Sequence, residues 1–98
     1  MLTKDIKTIV NFIKNNSSSI LPIYEQIVWN SKNNCLKKVF ISLKTDKRKR
    51  YEYINEAIEG GAIAIISDQI INKSKLTKDV PFLIHDSLSK IYNNFQRL

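Results

Sequence analysis

A single small α/β domain, with a mixed sheet, a βαβ unit and packed helices, is the fold this sequence predicts. Three observations carry that expectation. Apolar residues recur at helical spacing over residues 2–14 and again at Tyr51, Ile54, Ala57 and Ile58. Short runs rich in β-branched and aromatic residues, 39–43 and 62–66, flank the second of these segments. The later run is continuously apolar, as a strand covered on both faces should be. Strand, helix and buried strand thus follow one another in the order of a parallel βαβ unit, whose crossover is expected to be right-handed.

Taken in order, residues 2–14 place Leu2, Ile6, Ile9, Val10 and Ile13 on one helix face, with Thr3 as N-cap and Asp5 in the first turn, where a negative charge suits the helix dipole. Residues 15–19 form a short polar loop. Pro22 opens an extended segment through Ile23, Ile27, Val28 and Trp29. A strand at 39–43 is followed by a charged loop, 44–50, and by the helix carrying Tyr51 to Ile58. Gly60 is placed to end that helix in a left-handed conformation. A polar connection, 69–79, with room for a short helix, precedes a strand at 81–85. Asp86 or Ser87 then caps a final helix with Leu88, Ile91, Tyr92, Phe95 and Leu98 along one face. There is no internal repeat, no heptad array and no low-complexity tract beyond 15–19.

Composition narrows the function classes. The chain has 98 residues, enough for one domain with a thin core and no second domain. Cys35 is the single cysteine, which excludes an internal disulfide and a cysteine-based zinc cage and is compatible with a reducing compartment. The longest apolar run, 60–66, falls far short of the roughly 20 residues that cross a bilayer, and no signal-peptide block begins the chain, so a cytoplasmic location and no membrane partner are expected. Sixteen Lys and Arg against nine Asp and Glu give a formal charge of +7. That excess favours an anionic partner such as a nucleotide, nucleic acid or acidic lipid surface, although a Lys/Asn/Ile bias also arises from an AT-rich genome.

An ordered series of motifs carries more information than any one of them. Residues 30–67 contain Asn30-Ser31-Lys32, the strand Val39-Phe40-Ile41-Ser42-Leu43, the helix pairs Tyr53-Ile54 and Ala57-Ile58, and Gly61-Ala62-Ile63-Ala64-Ile65-Ile66. In order and gapless spacing this resembles the UDP-binding N-terminal domain of the Mur ligases, especially those that add the third residue to UDP-N-acetylmuramoyl-dipeptide. The family pattern reads [DN]-S-[RK], then G-D before an apolar strand ending in Gly, a D-G loop, F-I-x-x-A-I and G-A-x-A. Here Lys37-Lys38 stand at the G-D, Thr45 at the strand-terminal glycine, and Lys49 and Arg50 at the D-G.

The resemblance implies that residues 1–98 are a Mur-ligase N-terminal-like domain that binds UDP or a UDP-N-acetylmuramoyl-peptide for peptidoglycan precursor synthesis. It implies a uridine contact at Ser31, flanked by Asn30 and Lys32, and a nucleotide-facing loop containing Thr45, Asp46, Lys47, Lys49 and Arg50. ATP and Mg²⁺ belong to a central domain whose Gly-Lys-Thr loop is not in these residues. No cofactor is expected on this chain, which alone could not form an amide bond. A Mur ligase central domain, in cis or in trans, is the implied protein partner.

The residues themselves leave alternatives open. Ser31 also suits a turn serine bonding its own backbone. The basic run Lys47-Arg48-Lys49-Arg50 could hold a diphosphate near a helix start, contact nucleic acid, or stand solvated. No helix-turn-helix, zinc finger or RNA-recognition signature supports nucleic acid. Trp29 with Tyr24 or Tyr51 could stack on a base or sit half-buried at the core edge. His85 lacks a second histidine for a metal pair, and no metal site is expected. Lys32, Lys37 and Lys38 near Cys35 could lower its pKa, but no histidine lies close in sequence to make it a nucleophile. The changed glycine positions also fit an interaction module, or a gene remnant, that has lost nucleotide recognition.

Overall fold

The computed structural model describes residues 4–17, 20–43, 49–85 and 88, with side chains from Lys7 onward. Helix α1 (Lys4–Asn16) leads through a 3₁₀ turn (Ile23–Glu25) into strand β1 (Ile27–Val28). Strand β2 (Val39–Ser42), helix α2 (Arg50–Glu59) and strand β3 (Ala64–Ser67) follow as the βαβ unit. A second 3₁₀ turn (Lys73–Lys75) precedes strand β4 (Phe82–Ile84). The four strands lie in sequence order, and each neighbouring pair is parallel.

The expected mixed sheet is therefore corrected to a parallel one. Antiparallel neighbours need a tight hairpin, and none of the connections is short: residues 29–38 separate β1 from β2, and 68–81 separate β3 from β4. Each connection is long enough to return the chain to the same end of the sheet. The extended segment expected after Pro22 is also shorter than the sequence suggested. Pro22, with φ −55°, instead starts the 3₁₀ turn, its carbonyl accepting from Glu25 N at 2.9 Å, and only Ile27 and Val28 pair.

All residues of β2 and β3 are buried, and the two-residue pleat deals their side chains to two cores. Ile27, Val39, Ile41, Ala64 and Ile66 pack with Ile9, Val10 and Ile13 of α1 and with Leu88. Val28, Phe40 and Ile65 pack on the other face with Ile54, Ala57 and Ile58 of α2, joined by Cys35, Ala62 and Ile71. The helical apolar stripes read from sequence thus cover opposite faces of one sheet.

Helix α2 ends one residue later than expected. Gly60 has φ −78° and Gly61 has φ +101°. Gly61 N donates to Ile58 O and Ala62 N to Ala57 O, both at 3.0 Å, the paired bonds of a Schellman motif with Gly61 in the left-handed position. A Cβ on Gly61 would lie 2.7 Å from Leu36 Cδ1, so the close approach of the loop before β2 also requires glycine there.

The β3–β4 connection is fastened by α2. Arg50 Nη2 donates to Ser67 Oγ at 3.0 Å and to Gln69 O and Ile70 O at 2.9 Å. Tyr51 Oη accepts from Asn72 N, and Asn55 bonds Lys75 O and Thr77 N. Lys75 and Arg50 each place a cation about 5 Å from the Tyr51 ring centroid. The Thr3 cap, Leu2, the Ile6 side chain, the loop 44–48, and the Asp86 or Ser87 cap with its helix beyond Leu88 lie outside the described residues.

Candidate functional site

The carboxyl end of β1 opens into a loop that turns by asparagine side chains. Asn30 Oδ1 accepts from Lys32 N at 2.9 Å, Asn30 O from Asn33 N at 3.0 Å, and Asn34 Oδ1 from Leu36 N at 3.1 Å. Such Asx turns fix the backbone without a helix or strand. Cys35 anchors the loop from below, 1% exposed, its sulfur 3.3 Å from Asn33 O. Burial pushes the Cys35 thiol above its ordinary value and the Glu56 charge adds to this, with Lys38 opposing. The lowered pKa expected from nearby lysines is corrected, because desolvation of a thiolate outweighs charges that remain in water.

Ser31 is 7% exposed and donates its hydroxyl proton to Glu56 Oε1 at 2.5 Å. The other oxygen of Glu56 lies 3.7 Å from Lys32 Nζ. Helix α2 presents Lys49, Tyr53 and Glu56 at spacings of four and three residues, one stripe on its surface. That stripe faces the 29–32 loop. Between them is a cleft of about 350 Å³ lined by Trp29, Asn30, Ser31, Lys32, Phe40 and Tyr53. A second concavity of about 440 Å³ adjoins it through Lys32 and Tyr53 and extends to Lys49, Glu52, Asn55, Glu56 and Glu59. Together they form a groove at the carboxyl end of a parallel strand, beside the start of a helix, where open α/β sheets place ligands.

The structure thus brings Asn30, Ser31, Lys32 and Lys49 to one groove. Arg50 lines neither concavity. It is 6% exposed, with its guanidinium turned inward to Ser67 and the 69–70 carbonyls. Thr45, Asp46 and Lys47 lie outside the described residues. Of the aromatic candidates, Trp29 lines the cleft with Tyr53, whereas Tyr51 is engaged with the β3–β4 connection. Tyr53 and Glu56 are the groove residues that sequence reasoning missed, and their helical stripe from Lys49 is the signal that could have found them.

The carboxyl ends of β2 and β3 also collect buried polar atoms. Ser42 Oγ, Arg50 Nε and both carboxylate oxygens of Asp68 are buried without a hydrogen-bond partner among the described residues, and Ser67 Oγ accepts from Arg50 and from Gln69 N. Among the described residues, no group of three His, Cys, Asp or Glu could hold a metal ion, and no helix is long and apolar enough to cross a membrane. No protein-family model matches the chain, and neither curated proteins nor solved structures give a match.

Proposed function

We propose that this chain is the UDP-binding first domain of a Mur-type amide ligase, holding the nucleotide end of a UDP-N-acetylmuramoyl-peptide in the groove between the 29–32 loop and α2. One observation carries the reading. The Asn30-Ser31-Lys32 triplet, the first motif of the series that carries the resemblance, lines a single cleft with Trp29 and Tyr53, against the side of helix α2. A further coincidence supports it: Lys37 holds φ +60°, the conformation glycine favours, at the position where the family carries glycine.

The chemistry follows from the side chains. Trp29 and Tyr53 offer π-faces to a pyrimidine. Ser31 offers a hydroxyl oxygen to the base or ribose. Lys32 and Lys49 place ammonium groups along the groove, and the first N–H groups of α2, whose N-cap Lys49 makes no side-chain capping bond, add positive potential for a diphosphate. Carboxylate activation by ATP and Mg²⁺ belongs, on this reading, to a central domain outside these residues, and the setting is the cytoplasm of a bacterium.

Trp29 is the only tryptophan, so its emission reports on the cleft. Titration with UDP is expected to change it saturably, and Ser31→Ala or Lys32→Ala is expected to weaken the response about tenfold. Unchanged emission together with no calorimetric heat at millimolar UDP would reject the proposal. A second reading, an interaction module without nucleotide recognition, is favoured by the inward turn of Arg50. It expects no response to UDP but retention of a Mur ligase central domain in a pull-down.

A further inference from the structure

The hydroxyl of Ser31 has one proton and two lone pairs, and Glu56 takes the proton. A carboxylate offers only lone pairs, so at 2.5 Å between Ser31 Oγ and Glu56 Oε1 the serine is the donor. Glu56 is held from its other side, with Oε2 3.7 Å from Lys32 Nζ. Its backbone belongs to α2, whose position is fixed by Ile54, Ala57 and Ile58 in the core. The rotor of Ser31 is thereby fixed by a residue on a different element, and with its proton engaged the oxygen has lone pairs alone to offer a ligand in the cleft that Ser31 lines.

A free hydroxyl can accept from a donor or donate to an acceptor, and so reads neither. A pinned hydroxyl reads one. Resting on the UDP-binding proposal, we infer that Glu56 is a positioning residue that makes Ser31 an obligate acceptor, so that the cleft selects a ligand presenting an N–H or O–H donor at that point. A uridine nucleotide has two sources of such a donor, the imide N3–H of the base and the hydroxyls of the ribose. Alkylation at N3 removes the first and the matching deoxyribose removes the second, and a ligand lacking the donor that Ser31 reads would leave a mostly buried acceptor unpaired.

The test is a set of dissociation constants for the 98-residue chain with UDP, N3-methyl-UDP, 2′-deoxy-UDP and 3′-deoxy-UDP, followed by Trp29 emission or calorimetry. In the wild type, one analogue is expected to bind about tenfold or more weakly than UDP, and which one it is identifies the base or the ribose as the donor. Glu56→Gln is expected to reduce that penalty to about threefold or less, because the amide can donate to Ser31 Oγ and release its proton toward the ligand. The Glu56 side chain is 44% exposed, so this variant leaves the core intact. A loss of stability would weaken all four ligands alike and leave their ratio unchanged. The inference is overturned if UDP binds and all analogues fall within threefold of it, or if Glu56→Gln keeps the full penalty. Failure of the wild type to bind UDP at all overturns the underlying proposal, and the inference with it.

Discussion

At Lys37 the backbone sits at φ +60°, where the Cβ of an L-residue crowds the following carbonyl at a cost of about 1–2 kcal/mol. Its N–H donates to Gly61 O at 3.0 Å, tying the turn before β2 to the end of α2. Lys37→Gly is therefore expected to raise stability by about 0.5–1 kcal/mol in urea unfolding, glycine's gain in the folded state being offset in part by its looser unfolded chain. A destabilised Lys37→Gly would show that the turn is not left-handed. The two glycines make the converse test. Gly61→Ala places a Cβ 2.7 Å from Leu36 Cδ1 and 3.1 Å from Leu36 Cα at φ +101°, and is expected to cost about 2 kcal/mol or more. Gly60→Ala meets nothing closer than 3.4 Å and is expected to change stability by less than about 1 kcal/mol; equal losses at both positions would refute the Schellman assignment. For Cys35, burial holds the folded pKa above the ordinary value of 9.0. The thiol is neutral in both states below that value. As pH rises above it, the unfolded chain ionises first, so the stabilisation from Cys35 is present below pH 9.0 and is lost above it. Unfolding free energies of the wild type and Cys35→Ala are expected to differ most below pH 9 and to draw together as pH rises above it; a constant difference would contradict the buried thiol.

At the scale of elements, α2 holds the domain together, since its apolar stripe covers one sheet face while Arg50, Tyr51 and Asn55 capture the β3–β4 connection. Arg50 supports that connection through Nη2, whose two N–H protons are shared among three oxygens, and a lysine stem does not carry its ammonium to the same place. Arg50→Lys is expected to cost about 1–3 kcal/mol and to speed amide exchange at residues 69–72; wild-type stability and exchange would mean that the side chain is dispensable. The βαβ unit was legible in the sequence because burial on both faces leaves continuous apolar strands, and Tyr51, Ile54, Ala57 and Ile58 mark the helix face between them. The parallel direction of β1 and β4 was not, because it depends on where long connections return the chain. The end of α2 was misplaced by one residue because two adjacent glycines are equivalent in composition and differ only in the contact with Leu36. At the candidate site, Asn30, Ser31, Lys32 and Lys49 were legible from motif order. Tyr53 and Glu56 were not, because only packing brings a helix stripe against a loop distant in sequence. Arg50 was read as ligand-facing because it stands at the D-G position of the resembled family within a basic run, and the inward hydrogen bonds that hold it go to residues 17 to 20 positions away.

For the whole molecule, a formal charge of +7 favours an anionic ligand, and the aromatic lining of the groove at the carboxyl end of a parallel strand suits a ligand with an aromatic base. The charge alone would attract nucleic acid as readily. What separates the two is localisation: non-specific phosphate binding spreads over exposed lysines and weakens steeply with salt, whereas a nucleotide seated in the groove engages a defined set of residues. The most direct measurement is therefore an amide chemical-shift titration of the chain with UDP. Saturable shifts concentrated at residues 29–32, Lys49, Tyr53 and Glu56, persisting at moderate salt, are the expected result. No saturable shift at millimolar UDP, or shifts centred instead on the distant cavity lined by Lys73, Asp79 and Phe82, would contradict the assignment of this groove as the UDP site.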